Sequence, residues 1–249
     1  MKNRRRSFAV PILMALGILT SCGGGGGGEG PTATATPAQT TAALQGLWQG
    51  KWSSAQTPIS AALLPDGQAW IVFSDANNTL KFIKAALSVQ GGVFSGVGKE
   101  YVPGTSGTSS VALSTTVIPG SQLQGSVTIS GVINPFSMTY QPRYDIAAKM
   151  SDFAGAWRGG FASGTVAVTW EISATGNVTG RSSTGCSYSG VLQTRTEAKS
   201  IVDGAFTEAC AGVNRAFAGV VTLDDSKTRL NVTATLLDES AAILLALER

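Results

Sequence analysis

The chain has no histidine among its 249 residues. Imidazole-based metal sites, and catalysis that relays a proton through Ser/His/Asp or Cys/His, are therefore excluded. The acidic side chains that could act together are Asp224 with Asp225 and Asp238 with Glu239, beside single residues such as Glu171 and Asp203. Each pair stands just before a serine, Ser226 or Ser240, between segments of alternating pattern, where aspartate is a turn former in its own right. No oxygen-rich calcium spacing accompanies them. Serines and threonines are plentiful, but no base is placed near them. The reading is a non-enzymatic chain with no catalytic residue, no metal site and no cofactor.

Three cysteines carry the remaining chemistry: Cys22, Cys186 and Cys210. The first follows Lys2, Arg4, Arg5 and Arg6 and the apolar run Phe8 to Leu19, which at about twelve residues is short of the roughly 20 that span a bilayer. That is the build of a signal peptide, residues 1–21. Its end, Leu19-Thr20-Ser21-Cys22, resembles the lipobox of bacterial lipoproteins. The resemblance implies cleavage before Cys22, acylation of that residue, and anchoring in the bacterial cell envelope. Gly23, directly after the cysteine, is similar to the outer-membrane sorting pattern. Without the leader, 18 − 4 = 14 Lys and Arg stand against 15 Asp and Glu, so the formal +3 becomes −1. A chain with that balance has no case for nucleic acid. Residues 22–43, Gly-rich and then Thr/Pro/Ala-rich, read as a flexible tether.

Export puts Cys186 and Cys210 in an oxidising compartment, where two leftover cysteines pair. Partners across an antiparallel hairpin keep a constant sum of residue numbers. The sum 396 sets Tyr188 against Glu208, Gly190 against Phe206 and Leu192 against Gly204, with the turn centred on Ala198. It also gathers Tyr188, Leu192, Val202 and Phe206 on the cysteine face and leaves Ser187, Ser189, Gln193, Arg195, Asp203 and Thr207 on the other.

The elements that must position these residues read as strands. In the second half, eight candidates fall near 154–161, 165–173, 177–184, 186–195, 200–210, 213–223, 228–237 and 241–248; the first half yields about eight between 46 and 146, although Lys81 to Val89 also fits a short helix. Gly46-Leu47-Trp48-Gln49-Gly50 recurs as Gly155-Ala156-Trp157-Arg158-Gly159, and Val93 to Val97 echoes Ser187 to Val191 at a different offset. Short connections at even spacing predict an all-β chain of two tandem antiparallel eight-stranded barrels or strongly curved meanders, residues 44–148 and 149–249, packed on each other.

A Gly-x-Trp on the first strand of an eight-stranded barrel resembles the calycin group, which includes lipocalins, fatty-acid-binding proteins and avidins. The resemblance implies that an arginine near the end of each barrel covers the tryptophan, which pairs Trp48 with Arg143 and Trp157 with Arg249. It also implies a small apolar ligand inside a barrel. Against that stand the bulky inward candidates Val168, Trp170, Leu192, Phe206, Phe217, Val221, Leu230 and Leu236, with no buried charge expected among them. The preferred expectation is a lipid-anchored module, in the outer membrane, that binds another envelope or extracellular protein through its surface. The alternative is a carrier of a small apolar ligand.

Overall fold

A computed structural model describes residues 39–161, 164, 166–197 and 199–249. The signal peptide, Cys22, the tether through residue 38 and Ala198 lie outside the described residues.

The chain forms two closed antiparallel barrels. The first comprises β1 (Gly46–Trp52), β2 (Pro58–Leu63), β3 (Gln68–Ser74), β4 (Leu80–Gln90), β5 (Val93–Tyr101), β6 (Thr108–Ile118), β7 (Gln122–Ile129) and β8 (Val132–Tyr140). The second comprises β9 (Gly155–Phe161), β10 (Ala167–Ile172), β11 (Asn177–Ser182), β12 (Ser187–Thr194), β13 (Val202–Cys210), β14 (Val213–Leu223), β15 (Arg229–Leu236) and β16 (Ala242–Glu248). Each strand pairs with its neighbour in sequence. Closure comes from β8 on β1, where Trp48 faces Tyr140, and from β16 on β9, where Leu247 faces Gly159. In the second half the strand ends lie within two residues of the sequence expectation.

Period-two patterning builds these walls. Along β6, Val111, Leu113, Thr115 and Val117 are buried while Ser110, Ala112, Ser114 and Thr116 alternate toward the outside. Each interior is a packed core: Trp48, Trp52, Phe73, Phe94 and Phe136 fill the first, and Trp157, Trp170, Phe206 and Phe217 the second. Eight strands enclose a space that side chains of this size can fill. Of the inward residues expected in the second barrel, Leu236 is partly buried against the core and the other seven are buried within it.

The same corner appears twice. Gly67 (φ 89°) and Gly176 (φ 87°) occupy the left-handed region, each amide donating to the residue three before it, Leu64 or Ser173. A Cβ on either would lie 2.3 Å from a carbonyl oxygen of the neighbouring hairpin, that of Leu87 or Leu192. Positive φ and this close approach both call for glycine.

Sequence patterning misplaced one boundary and left one strand open to a helical reading. The tether is folded by its end: Thr41–Leu44 forms a 3-10 turn whose Leu44 is fully buried in the first core, and the Thr41 hydroxyl donates to the Pro65 carbonyl. Lys81 to Val89 is no helix but lies within β4. Phe82 and Ile83 are both buried, Ile83 inside the barrel and Phe82 outside it, stacked between Trp70 and Tyr101 where the second barrel packs. A strand covered on both faces loses its alternation, and the apolar run that results resembles a helix period. Every described strand and both barrel-plugging turns lie within residues 41–249, and both barrels close with strands from that stretch.

Candidate functional site

One end of each barrel is plugged by a turn immediately before its first strand. In the first, the Trp48 indole N–H donates to the Leu44 carbonyl at 3.0 Å; in the second, Trp157 donates to Phe153 at 2.7 Å, the last residue of the helical turn Met150–Phe153. Both rings are fully buried, so the hydrogen bond gives each indole the partner that burial demands. Arg249 lies over the Trp157 ring, its guanidinium carbon 4.6 Å from the centroid, and its Nη2 donates to the carbonyls of Asp152 and Ala154 at 2.8 Å each. The guanidinium thus covers the ring and caps the end of the turn.

Arg143 departs from the calycin-like expectation. The 3-10 turn Pro142–Asp145 carries it toward the second barrel, where Nη1 donates to the Leu223 carbonyl at 2.8 Å and Nε stands 3.6 Å from Asp225. Trp48 is met instead by Tyr140, edge on, with centroids 5.3 Å apart.

The opposite end of the second barrel holds the cysteines. Cys186 and Cys210 are joined, with Cα atoms 4.4 Å apart. The hairpin has the 396 register: Tyr188 faces Glu208, Gly190 faces Phe206 and Leu192 faces Gly204. Glu208 corrects the expectation of an uncharged interior. It is 7% exposed, and the Tyr188 hydroxyl donates to its Oε1 at 2.8 Å. Burial, then that carboxylate, raises the Tyr188 phenol above its ordinary value. The carboxylate and the two sulfurs lie within 4.8 Å of one another, a grouping of three possible metal-ligand side chains. With the sulfurs bonded to each other there is no thiolate to bind a metal.

The first barrel repeats this glutamate. Glu100 on β5 is also 7% exposed and stands 3.4 Å from Lys81. Phe94, Gly96, Gly98 and Glu100 match Val202, Gly204, Phe206 and Glu208 at an offset of 108, close to the 109 between Trp48 and Trp157. The structural echo of β5 is therefore β13, not the Ser187–Val191 segment, which belongs to the preceding strand of its barrel. The repeated inward glutamate was the signal in the sequence that would have revealed the buried charge.

The barrels meet through Leu47, Ala62, Trp70, Phe82 and Tyr101 on one side and Val220 and Ala242 on the other, with Tyr144 and Ile201 at the plugged ends. Around this contact Glu239 receives Lys84 at 2.7 Å and Lys99 at 3.3 Å, and Arg195 bridges Asp66 and Asp203. The Tyr101 phenol is pushed up to about 12 by burial and by the charges of Glu239 and Asp238. Glu239 is held below the ordinary glutamate range, chiefly by the Lys84 hydrogen bond. Asp224, in its turn, is lowered to about 2: partial burial pushes it up, and donation from Ser226 and from the amides of Thr228 and Arg229 outweighs that. Alongside the contact runs a cleft of about 780 Å³ between the outer faces of β1–β3 and those of β9 and β14–β16.

One outer face differs from all others. Residues 101–142 carry no charged side chain. Facing outward from β6–β8 are Ser110, Ala112, Ser114, Thr116, Gln124, Ser137 and Thr139, each exposed.

No protein-family model matches the chain, and no curated protein does. Two crystal structures of transferrin binding protein B can be superposed on it. The isotype 1 protein from serogroup B Neisseria meningitidis aligns with a TM-score of 0.28 and 8% identity, over 78% of this chain and 64% of that one. A tryptophan-to-alanine mutant from Haemophilus parasuis Hp5 aligns with a TM-score of 0.27 and 8% identity, over 80% and 65%. The chain thus spans slightly under two thirds of the structures it matches, and superpositions this loose say nothing of what it binds.

Proposed function

We propose that the protein is a lipid-anchored envelope lipoprotein, attached through Cys22 to the outer membrane, that acts without catalysis by binding another envelope or extracellular protein. The observation that supports this is that both barrel interiors are occupied by their own side chains, which leaves outer faces and loops as the usable surface. The uncharged β6–β8 face is the strongest candidate for the contact. Charged residues are depleted at the centres of protein interfaces, because burying an unpaired charge is costly. Barrels closed all round have no free edge to aggregate, so such a face can stand exposed.

Two measurements test the reading. Intact-mass analysis of the amino terminus is expected to find Cys22 acylated, and an unmodified terminus elsewhere would remove the anchor. Photo-crosslinkers at Ser114 and Ser137 are expected to capture one discrete protein in intact cells, whereas a crosslinker at Arg181 on the second barrel is expected to capture none. Equal capture from both barrels, or none from either, would overturn the assigned face. The apolar-carrier alternative loses its place inside the barrels, since both are filled.

A further inference from the structure

We propose that the cleft between the barrels binds a single-chain acidic amphiphile, a long-chain fatty acid in its simplest form, independently of any protein partner. Its volume, about 780 Å³, lies within the roughly 300–1,000 Å³ of small-molecule sites, and domain junctions are where such sites concentrate.

The register gives the cleft a polar end and an apolar end. Leu47, Ala62 and Trp70 form one row across β1, β2 and β3. The Leu47 carbonyl in that row accepts the amide of Gln141, two residues from Arg143. Arg143 lines the cleft at this level, and among the described residues its Nη2 has no partner. The Trp70 indole N–H is buried, in a residue only 4% exposed, and has no hydrogen-bond partner among the described residues. A cation and an unused donor at one end favour an anionic, acceptor-bearing head group.

The opposite end is lined by Val72 and Leu80 of the first barrel and Phe161 and Val166 of the second. Ser60 and Ala246, exposed on facing walls, keep the middle wide enough for a chain. The nearby cations Lys84 and Lys99 are taken up by Glu239. Arg143 is engaged through Nε with the exposed Asp225 and through Nη1 with the Leu223 carbonyl, which leaves its Nη2 to meet the head group.

The test uses the chain from Gln39 onward, which holds both complete barrels, with palmitate as the acidic probe and 1-hexadecanol as its neutral counterpart. Palmitate is expected to bind one to one by calorimetry. Ser60→Trp and Ala246→Trp, both at exposed positions, are expected to weaken it at least tenfold without lowering the melting temperature. Arg143→Gln, which also loosens the barrel contact, is expected to weaken palmitate about tenfold more than it weakens hexadecanol. The proposal is overturned if the parent does not bind palmitate, or if both filled variants bind it as tightly as the parent. Equal loss of both probes in Arg143→Gln would overturn the head-group assignment.

Discussion

The two barrels are built to one plan and fastened differently. Both bury a tryptophan against the carbonyl four residues before it, both turn the same glycine corner, and both place a glutamate inside the fifth strand. The second adds Arg249 over its tryptophan and a disulfide at its far end. The first has neither: Tyr140 packs on Trp48, and Arg143 reaches out to the second barrel. What is common to both is thus the part that a closed barrel requires, an apolar plug whose polar atoms are satisfied within four residues. The arginine is interchangeable, because an aromatic edge can cover an indole face as well as a cation can. Once released, it can hold the barrels together instead.

The largest effects should come from the shared plug. Trp48→Ala and Trp157→Ala should each cost about 3–5 kcal/mol, the usual price of emptying a buried tryptophan site, measured by urea unfolding of each variant. A loss under half as large in one of them would break the equivalence of the two ends. Next comes a feature of the second barrel alone. Replacing both Cys186 and Cys210 by serine should cost about 3 kcal/mol by the loop-closure estimate, and hydrogen exchange should rise in β11–β14 while β1–β8 keep their protection. Faster exchange in the first barrel as well would mean that the two unfold as one unit.

Smaller effects would sharpen the contrast between the arginines. Arg249→Ala should cost about 1–2 kcal/mol through the lost ring contact and two carbonyl hydrogen bonds, with faster exchange at the second plug. Arg143→Ala should leave exchange at Trp48 unchanged and loosen the barrel contact, seen as earlier proteolysis between residues 145 and 152. Protection lost at Trp48 would restore the arginine-over-tryptophan reading for the first barrel.

The smallest effect is the pH dependence of the joint. Glu239 is held below its ordinary value, so the unfolded chain binds more protons there, and its contribution is present above about pH 4.5 and fades as pH falls through the folded value. Tyr101 is raised to about 12, so its contribution is complete below pH 10 and fades as pH rises toward 12. Melting temperatures of Glu239→Gln and Tyr101→Phe should therefore decline less steeply than the parent's on the acid and alkaline sides respectively. Parallel curves would show that the joint does not contribute to the stability of either barrel.

Much of the wall was legible in the sequence, because alternation along a strand is a local property. Strands such as β10, covered on the inside only, show it plainly, and a constant-sum register follows from two cysteines and two glycines without any knowledge of the rest of the fold. The buried Glu208 was legible in principle through its repeat at Glu100. It was overlooked because a lone carboxylate on a strand reads as solvated until its partner, here Tyr188, is placed opposite.

The sequence by itself determined that the two halves are built from β-strands, that they repeat, that imidazole chemistry is absent and that Cys186 can pair with Cys210, since composition, period and count are properties of the chain alone. Only the tertiary structure decided which faces are covered twice, where Arg143 goes, and that the open space lies between the barrels instead of inside them. Those outcomes depend on how two closed surfaces pack. The residues concerned, Phe82, Trp70 and Glu239 among them, are separated by up to 169 positions and carry no periodic mark of their eventual neighbours.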